Sequence, residues 1–180
     1  MSKINAIDYT DGQIKQRTNL HLAFDGSCEP KNPGGVACIG WLITNEDDPQ
    51  KEILAKGYQV VADGGKKATN NFAEYCALGI PLRWLEDNGW RGNLSVTGDS
   101  QLVVSQVNEE WKCNAEHLIK LRQRVWDLLE KLELDESNFS LEWVPRDLNE
   151  EAYGLGRVAY QEHCKANNKP VKYMYRRKKK

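Results

Sequence analysis

The chain lacks the features that would place it in a membrane or outside the cell. None of its apolar runs approaches the roughly 20 residues that a membrane span requires. Residues 1–16 are polar and contain no apolar core of the kind found in a signal peptide. The five cysteines are scattered, and none has the CxxC or Cys/His spacing of a zinc site. We therefore expect reduced thiols, no membrane association and a cytoplasmic protein.

The chain as a whole also lacks an excess of one charge, since its net charge at pH 7 is −1. The distribution is uneven, because six cations fall within the last nine residues and leave the remainder acidic. These cations are Lys172, Arg176, Arg177, Lys178, Lys179 and Lys180. Such a segment either attracts a polyanion such as nucleic acid or is a solvated end without a partner. Composition leaves both interpretations open.

Hydrophobic periodicity predicts one α/β domain with the element order βββ-α-β-α-α-β-α. We predict a loose N-terminal leader over residues 1–18, the domain over 19–168 and a basic C-terminal tail over 169–180. The first three strands, near residues 20–24, 36–44 and 51–61, have the spacing of an antiparallel meander. The later strands, near 94–97 and 139–144, are each reached through helices and should run parallel to a meander strand.

Three carboxylates stand where such a sheet collects its chemistry. Asp25 directly follows the first predicted strand, Asp99 follows the fourth, and Glu74 lies early in the first predicted helix. Acids that converge at the carboxyl ends of neighbouring strands repel one another unless they are protonated or hold a cation. Carboxylate oxygens grouped in this way suit Mg²⁺ or Mn²⁺. A pair of such ions about 3.5 to 4 Å apart promotes phosphodiester cleavage.

Each acid also has an ordinary structural interpretation. Asp99 could be the N-cap of a helix, Glu74 could form a capping box with Asn71, and Asp25 before Gly26 could be a turn former. Taken singly, each of these alternatives competes with a role in catalysis. The three acids considered together with their flanking residues favour a functional site.

Four ordered blocks of sequence surround these acids. They read DGSCEPKNPGG over residues 25–35, TNNFAE over 69–74, GDSQLVV over 98–104 and WVPR over 143–146. In order and spacing they resemble type 1 ribonuclease H, and the short loop after Trp143 is similar to its compact archaeal and bacterial branch. The resemblance extends over about residues 20–164.

The resemblance implies a ribonuclease H-like fold, with a five-stranded mixed sheet flanked by helices. It further implies hydrolysis of the RNA strand of RNA–DNA hybrids with two Mg²⁺ ions bound by Asp25, Glu74 and Asp99. Hybrid contacts are implied for Asn32, Asn70, Asn71, Ser100, Gln101, Trp111 and Lys112. Trp111 would lie along the DNA strand, although it could instead pack against a helix. Nothing in the sequence indicates an obligate protein partner, so we expect a monomer.

The sequence departs from the family pattern at Tyr153. The resemblance implies a fourth metal-binding aspartate there, and a tyrosine hydroxyl with a pKa near 10 is a poor Mg²⁺ ligand. Glu150, one helical turn earlier, could replace the missing acid. Alternatively, the enzyme works with three acids and lower activity, or the chain only binds hybrids.

A related nuclease acting on other nucleic acids is a further alternative, although Asn70, Asn71 and Gln101 match positions that contact hybrids in the family. Residues 105–120 contain only Lys112 and Lys120 as cations, so the basic protrusion of some bacterial relatives is missing. We therefore expect the tail to contribute salt-dependent affinity for the hybrid.

Overall fold

The computed structural model describes the backbone of residues 5–7 and all of residues 14–174. Within these residues, six strands form one sheet. They are β1 (Asn5–Ile7), β2 (Asn19–Glu29), β3 (Val36–Asn45), β4 (Ile53–Asp63), β5 (Asn93–Gly98) and β6 (Phe139–Trp143). Their order across the sheet is β1-β4-β3-β2-β5-β6.

The pairing of the strands confirms the predicted mixed sheet. β2, β3 and β4 form an antiparallel meander, β5 runs parallel to β2, and β6 runs parallel to β5. The parallel strands are reached through helices, as the predicted element order requires. The five-stranded ribonuclease H-like sheet is therefore present, and β1 adds a short sixth strand at one edge.

The prediction of a loose leader over residues 1–18 needs correction in its described part. The backbone of Asn5–Ile7 pairs antiparallel with β4, opposite residues 56–58. A 3-10 helix follows at Ile14–Gln16, and Ile14 is buried in the main core. A three-residue edge strand is held by backbone hydrogen bonds, so it leaves no hydrophobic period that a sequence could reveal.

In the part of the chain that the structure describes, four α-helices cover the two faces of the sheet. They are α1 (Asn70–Asp87), α2 (Gln101–Val107), α3 (Glu116–Lys131) and α4 (Glu150–Ala166), and a second 3-10 helix spans Arg146–Leu148. Thr69 starts α1, because its side chain accepts a hydrogen bond from the Phe72 N–H over 3.1 Å. α1 continues across Pro81 as a single helix. In the described part of the chain, no helix has both the length and the apolar character of a membrane span.

β3 lies inside the sheet between β4 and β2, and every one of its residues is buried. Alternate side chains enter two layers, as the two-residue period of a strand requires. Ile39, Trp41 and Ile43 belong to the main core, which α1 and α3 share. Cys38 and Leu42 belong to two smaller clusters that include residues of α4.

α4 packs directly on the backbone of β3. A Cβ atom on Gly40 would overlap the carbonyl oxygen of Ala152 and the amide of Gly156. A Cβ atom on Gly156 itself would lie 3.5 Å from Oδ2 of Asp25. Close approach of a helix to a strand needs residues without side chains. These two glycines therefore bring α4 to the edge of the carboxylate site.

The first part of the predicted tail packs against the domain. Tyr160 in α4 donates a hydrogen bond to the Lys172 carbonyl over 2.8 Å, and Gln161 donates to the Tyr173 hydroxyl over 2.9 Å. The Met174 N–H donates to Oε2 of Glu29 at the end of β2 over 2.6 Å. The remaining tail residues, 175–180, lie outside the described residues. The chain therefore remains packed against the domain up to Met174.

Candidate active site

Asp25 lies inside β2, not after it. β2 runs on to Glu29 because it stays paired with β3, where Asp25 faces Gly40. Its parallel pairing with β5 ends one residue earlier, at Phe24 and Gly98. Asp25 and Asp99 are thus the first residues beyond the same end of the parallel pair. The expected convergence of these two acids follows from that register.

Glu74 reaches the same place from α1. A Cβ atom on Gly26 would overlap the Glu74 backbone, so the start of the helix lies directly against β2. The Gly26 N–H donates a hydrogen bond to Oε2 of Glu74 over 2.9 Å. The glycine in the Asp25-Gly26 pair therefore provides room for the helix and a donor for its carboxylate.

The three acids form one compact group. Asp25, Glu74 and Asp99 each offer an oxygen that lies within 4.8 Å of the others, and no further such group occurs among residues 14–174. Asp25 is 1% exposed, and neither of its carboxylate oxygens has a hydrogen-bond partner. Oδ1 of Asp99 is also buried without a partner. Buried acceptors without donors are costly unless something binds them.

The ordinary structural interpretations of the acids do not account for this geometry. Ser100, not Asp99, is the N-cap of α2, and Thr69, not Asn71, is the N-cap of α1. Glu74 hydrogen-bonds to β2 and does not close a capping box. Asp25 lies in a strand and forms no turn.

The electrostatics of the group also fit a bound cation. Burial, and then the charge of Asp99, raise the pKa of Asp25 well above its ordinary value, while Arg146 opposes the shift. Burial, followed by the charges of Asp25 and Asp99, raises the pKa of Glu74, against the Gly26 N–H and Arg146. Hard oxygen ligands that lack partners are the donor set that Mg²⁺ or Mn²⁺ prefers. The residues present therefore fit a divalent cation.

Residues 23–159 match the sequence pattern of the reverse transcriptase-like family. The chain belongs to that family. It is 35% identical over 140 residues to Ribonuclease HI of Halobacterium salinarum, which aligns with 78% of this chain. The chain spans only 63% of that relative's length.

Solved structures agree with this assignment. The N-terminal RNase H domain of a Mycobacterium tuberculosis protein is 29% identical, with a TM-score of 0.70 over 83% of this chain and 99% of that chain. LC11-RNase H1, solved in complex with an RNA/DNA hybrid, is 25% identical, with a TM-score of 0.68 over 80% of this chain and 98% of its own. The resemblance to type 1 ribonuclease H is thereby confirmed.

Arg146 is a site residue of this reverse transcriptase-like chain that the sequence reasoning missed. It begins the 3-10 helix after β6, and its Nε atom lies 2.8 Å from Oδ2 of Asp99. Trp143 also contacts Asp99, because its indole N–H donates a hydrogen bond to the Asp99 backbone carbonyl over 3.1 Å. The WVPR block contained the signal, but it served only to identify the family.

Tyr153, which we expected at the position of a fourth acid, lies beside two arginines. Its ring centroid lies 5.2 Å from the guanidinium carbon of Arg146 and 5.7 Å from that of Arg157. Tyr153 therefore contacts Arg146, the residue that is paired with Asp99. It contributes no carboxylate to the group.

Glu150 does not join the three acids. It is the first residue of α4, is exposed, and lines a separate cavity with Lys51 and Leu148. The preceding Asn149 is buried and donates a hydrogen bond to the Phe24 carbonyl over 2.8 Å, which sets the rotation of the helix. Its carboxylate does not belong to the group that Asp25, Glu74 and Asp99 form.

The residues expected to contact a hybrid lie near the three acids in the sequence. Oδ1 of Asn32 accepts a hydrogen bond from the Asn70 N–H over 3.1 Å, which joins the loop after β2 to the start of α1 beside Asn71. Ser100 and Gln101 directly follow Asp99, and Gln101 is an exposed residue.

Trp111 and Lys112 follow α2 and are both exposed. Trp111 is 45% exposed, which argues against its alternative role as a helix-packing residue. A large aromatic side chain left in solvent next to a cation is instead available to a ligand.

Proposed function

We propose that this chain is an endoribonuclease that hydrolyses the RNA strand of RNA–DNA hybrids with the help of a divalent cation. The observation that carries the proposal is the buried group of Asp25, Glu74 and Asp99, whose oxygens lie within 4.8 Å of one another. The similarity to Ribonuclease HI supports this reaction, and the LC11-RNase H1 complex supports the hybrid as substrate.

Asp25, Glu74 and Asp99 would hold the metal, which we propose to be Mg²⁺, with Mn²⁺ as a substitute. The cation would supply Lewis-acid stabilisation to the phosphodiester. In the reaction a water oxygen bonds to phosphorus, one P–O bond of the RNA backbone breaks, and the proton lost by water passes to the departing oxygen. The resemblance implies two Mg²⁺ ions, but the number depends on how many oxygens of Asp25 and Asp99 are free to bind them.

We propose that the hybrid lies across the start of α1 and the start of α2. Asn32, Asn70 and Asn71 would contact its backbone, while Ser100 and Gln101 would reach its groove. Trp111 and Lys112 would contact the DNA strand. Polar and aromatic groups of this kind suit a duplex that is recognised by groove shape, phosphates and 2′-hydroxyls.

A second candidate is a hybrid-binding protein with weak cleavage. Tyr153 favours it, because the site then holds three carboxylates and no fourth. A cleavage assay with three nucleic-acid substrates separates the two candidates.

A labelled RNA–DNA hybrid, duplex RNA and duplex DNA are incubated separately with Mg²⁺ or Mn²⁺. We expect cleavage of the hybrid alone, and its loss in Asp25→Asn with binding retained. Hybrid binding without cleavage with either ion would leave only the binding role. Preferred cleavage of duplex RNA or DNA would overturn the substrate.

We further propose that the protein acts as a monomer in the cytoplasm. All three carboxylates of the group come from one chain. All five cysteines are free, which agrees with a reducing compartment.

A further inference from the structure

The protein itself supplies a positive charge at the carboxylate group. Nε of Arg146 lies 2.8 Å from Oδ2 of Asp99, whose side chain is only 5% exposed. That oxygen already has a charge-assisted partner, whereas both oxygens of Asp25 and Oδ1 of Asp99 have none. A second metal ion at the Asp99 side would therefore have to displace the guanidinium or lie against it.

Tyr153 holds this guanidinium in place. The Tyr153 N–H donates to the Asn149 carbonyl over 3.1 Å, one turn above the contact of Asn149 with β2. Its ring lies 5.2 Å from the Arg146 guanidinium carbon, within the range of a cation–π contact. Arg157, the second arginine beside the Tyr153 ring, has its guanidinium carbon 4.2 Å from the ring centroid of Tyr173. The ring is thus a positioning group and contributes no carboxylate.

The net charge of the site favours a single bound divalent ion. When a metal binds, the three carboxylates are ionised, and together with one guanidinium they leave two negative charges, which a single divalent cation neutralises. A second divalent cation would create excess positive charge around Asp25, which is 1% exposed. Uncompensated charge in a buried site is strongly unfavourable.

We propose that the protein binds one divalent cation, at the free oxygens of Asp25, Glu74 and Asp99, and that Arg146, positioned by Tyr153, supplies the fixed positive charge at the second oxygen of Asp99. This inference rests on the proposed metal-dependent function. It differs from the two-ion site that the resemblance implies.

The test counts Mn²⁺ bound to the full chain without nucleic acid, from the electron paramagnetic resonance signal of free Mn²⁺. We expect one tightly bound ion in the wild type and one in Tyr153→Phe, which keeps the ring. Tyr153→Asp should bind two, because it adds a carboxylate and removes the ring from Arg146. Circular dichroism establishes that each variant is folded.

Arg146→Gln provides a measurement that does not require a new buried acid. Removing a fixed charge next to a divalent ion should tighten the first Mn²⁺ by about tenfold. Two ions in the wild type, one ion in folded Tyr153→Asp, or an unchanged affinity in Arg146→Gln would each overturn the proposal. Because no substrate is present, a failure of the hybrid-cleavage assay remains a separate result.

Discussion

The Gly26 N–H donates a hydrogen bond to Oε2 of Glu74 over 2.9 Å, across 48 residues of sequence. The bond joins the central part of the sheet to the start of α1, at a place where the helix touches β2 through a residue without a side chain. It satisfies one oxygen of a buried carboxylate and orients Glu74 toward Asp25. Assembly of the acidic group and packing of α1 therefore depend on the same contact.

Gly26→Ala should disrupt this contact. Its new Cβ would overlap the backbone of Ala73 and Glu74, so either α1 or β2 must move. We expect a loss of about 2 to 3 kcal/mol in the free energy of unfolding, measured by urea denaturation, together with weaker Mn²⁺ binding. Gly154→Ala is the matched control, because its Cβ would meet nothing within 4 Å. In α4 that change should stabilise the protein by about 0.5 to 1 kcal/mol. Equal stabilities for the two variants would contradict this account.

The raised pKa values of Asp25 and Glu74 predict how stability depends on pH without metal. An acid whose pKa is higher in the folded state binds its proton more tightly there, so stability is lost as pH rises from the unfolded pKa toward the folded pKa. The metal-free protein should therefore lose stability relative to Glu74→Gln as the pH increases from about 4 to 7. The measurement compares melting temperatures of the two proteins in EDTA across this range. A constant difference would show that Glu74 does not titrate in this way.

Added metal should reverse that loss. A cation that binds only the folded state stabilises it. The stabilisation should be largest at a pH at which the acids are ionised and would otherwise repel one another. We expect Mg²⁺ to raise the melting temperature of the wild type at pH 7 and to leave that of Asp25→Asn nearly unchanged. A similar increase in both proteins would place the ion elsewhere.

Glu150→Gln should leave Mn²⁺ affinity within about twofold of the wild type. Solvent and salt screen the charge of an exposed carboxylate, so it has little effect on an ion bound by other residues. Asp25→Asn should weaken the affinity by about 100-fold or more, since it removes a central ligand. Titration of both variants under the same conditions provides the comparison. A tenfold loss in Glu150→Gln would restore Glu150 as the replacement for the fourth acid.

Removal of residues 175–180 should weaken hybrid binding in proportion to the phosphates that the tail neutralises. The deletion removes five cations and leaves the contacts of residues 172–174 with the domain in place. Each lost phosphate contact should reduce the slope of log affinity against log salt by about 0.7 to 0.9. The control is a full-length chain in which the five cations are glutamine. Identical salt slopes for the wild type and the deletion would exclude this role.

The sequence by itself determined the order of the main elements from residue 19 onward and placed Asp99 and Glu74 near the ends of those elements. Periodicity and turn residues are local signals, and the sheet and helices that they predict are present. The ordered blocks around the acids also sufficed to indicate the family, because motif order and spacing survive without any knowledge of contacts.

Only the tertiary structure decided how far β2 runs, whether Glu150 joins the three acids and what Asp99 contacts. β2 continues past Asp25 because β3 pairs with it, and the start of α4 is held to β2 by the hydrogen bond from Asn149 to the Phe24 carbonyl. Arg146 meets Asp99 and Tyr153 across 47 and 7 residues of sequence. Such relations depend on long-range packing and hydrogen bonding, which leave no periodic pattern in the chain. The acids are therefore evident from sequence, whereas the charge that accompanies them is a property of the fold.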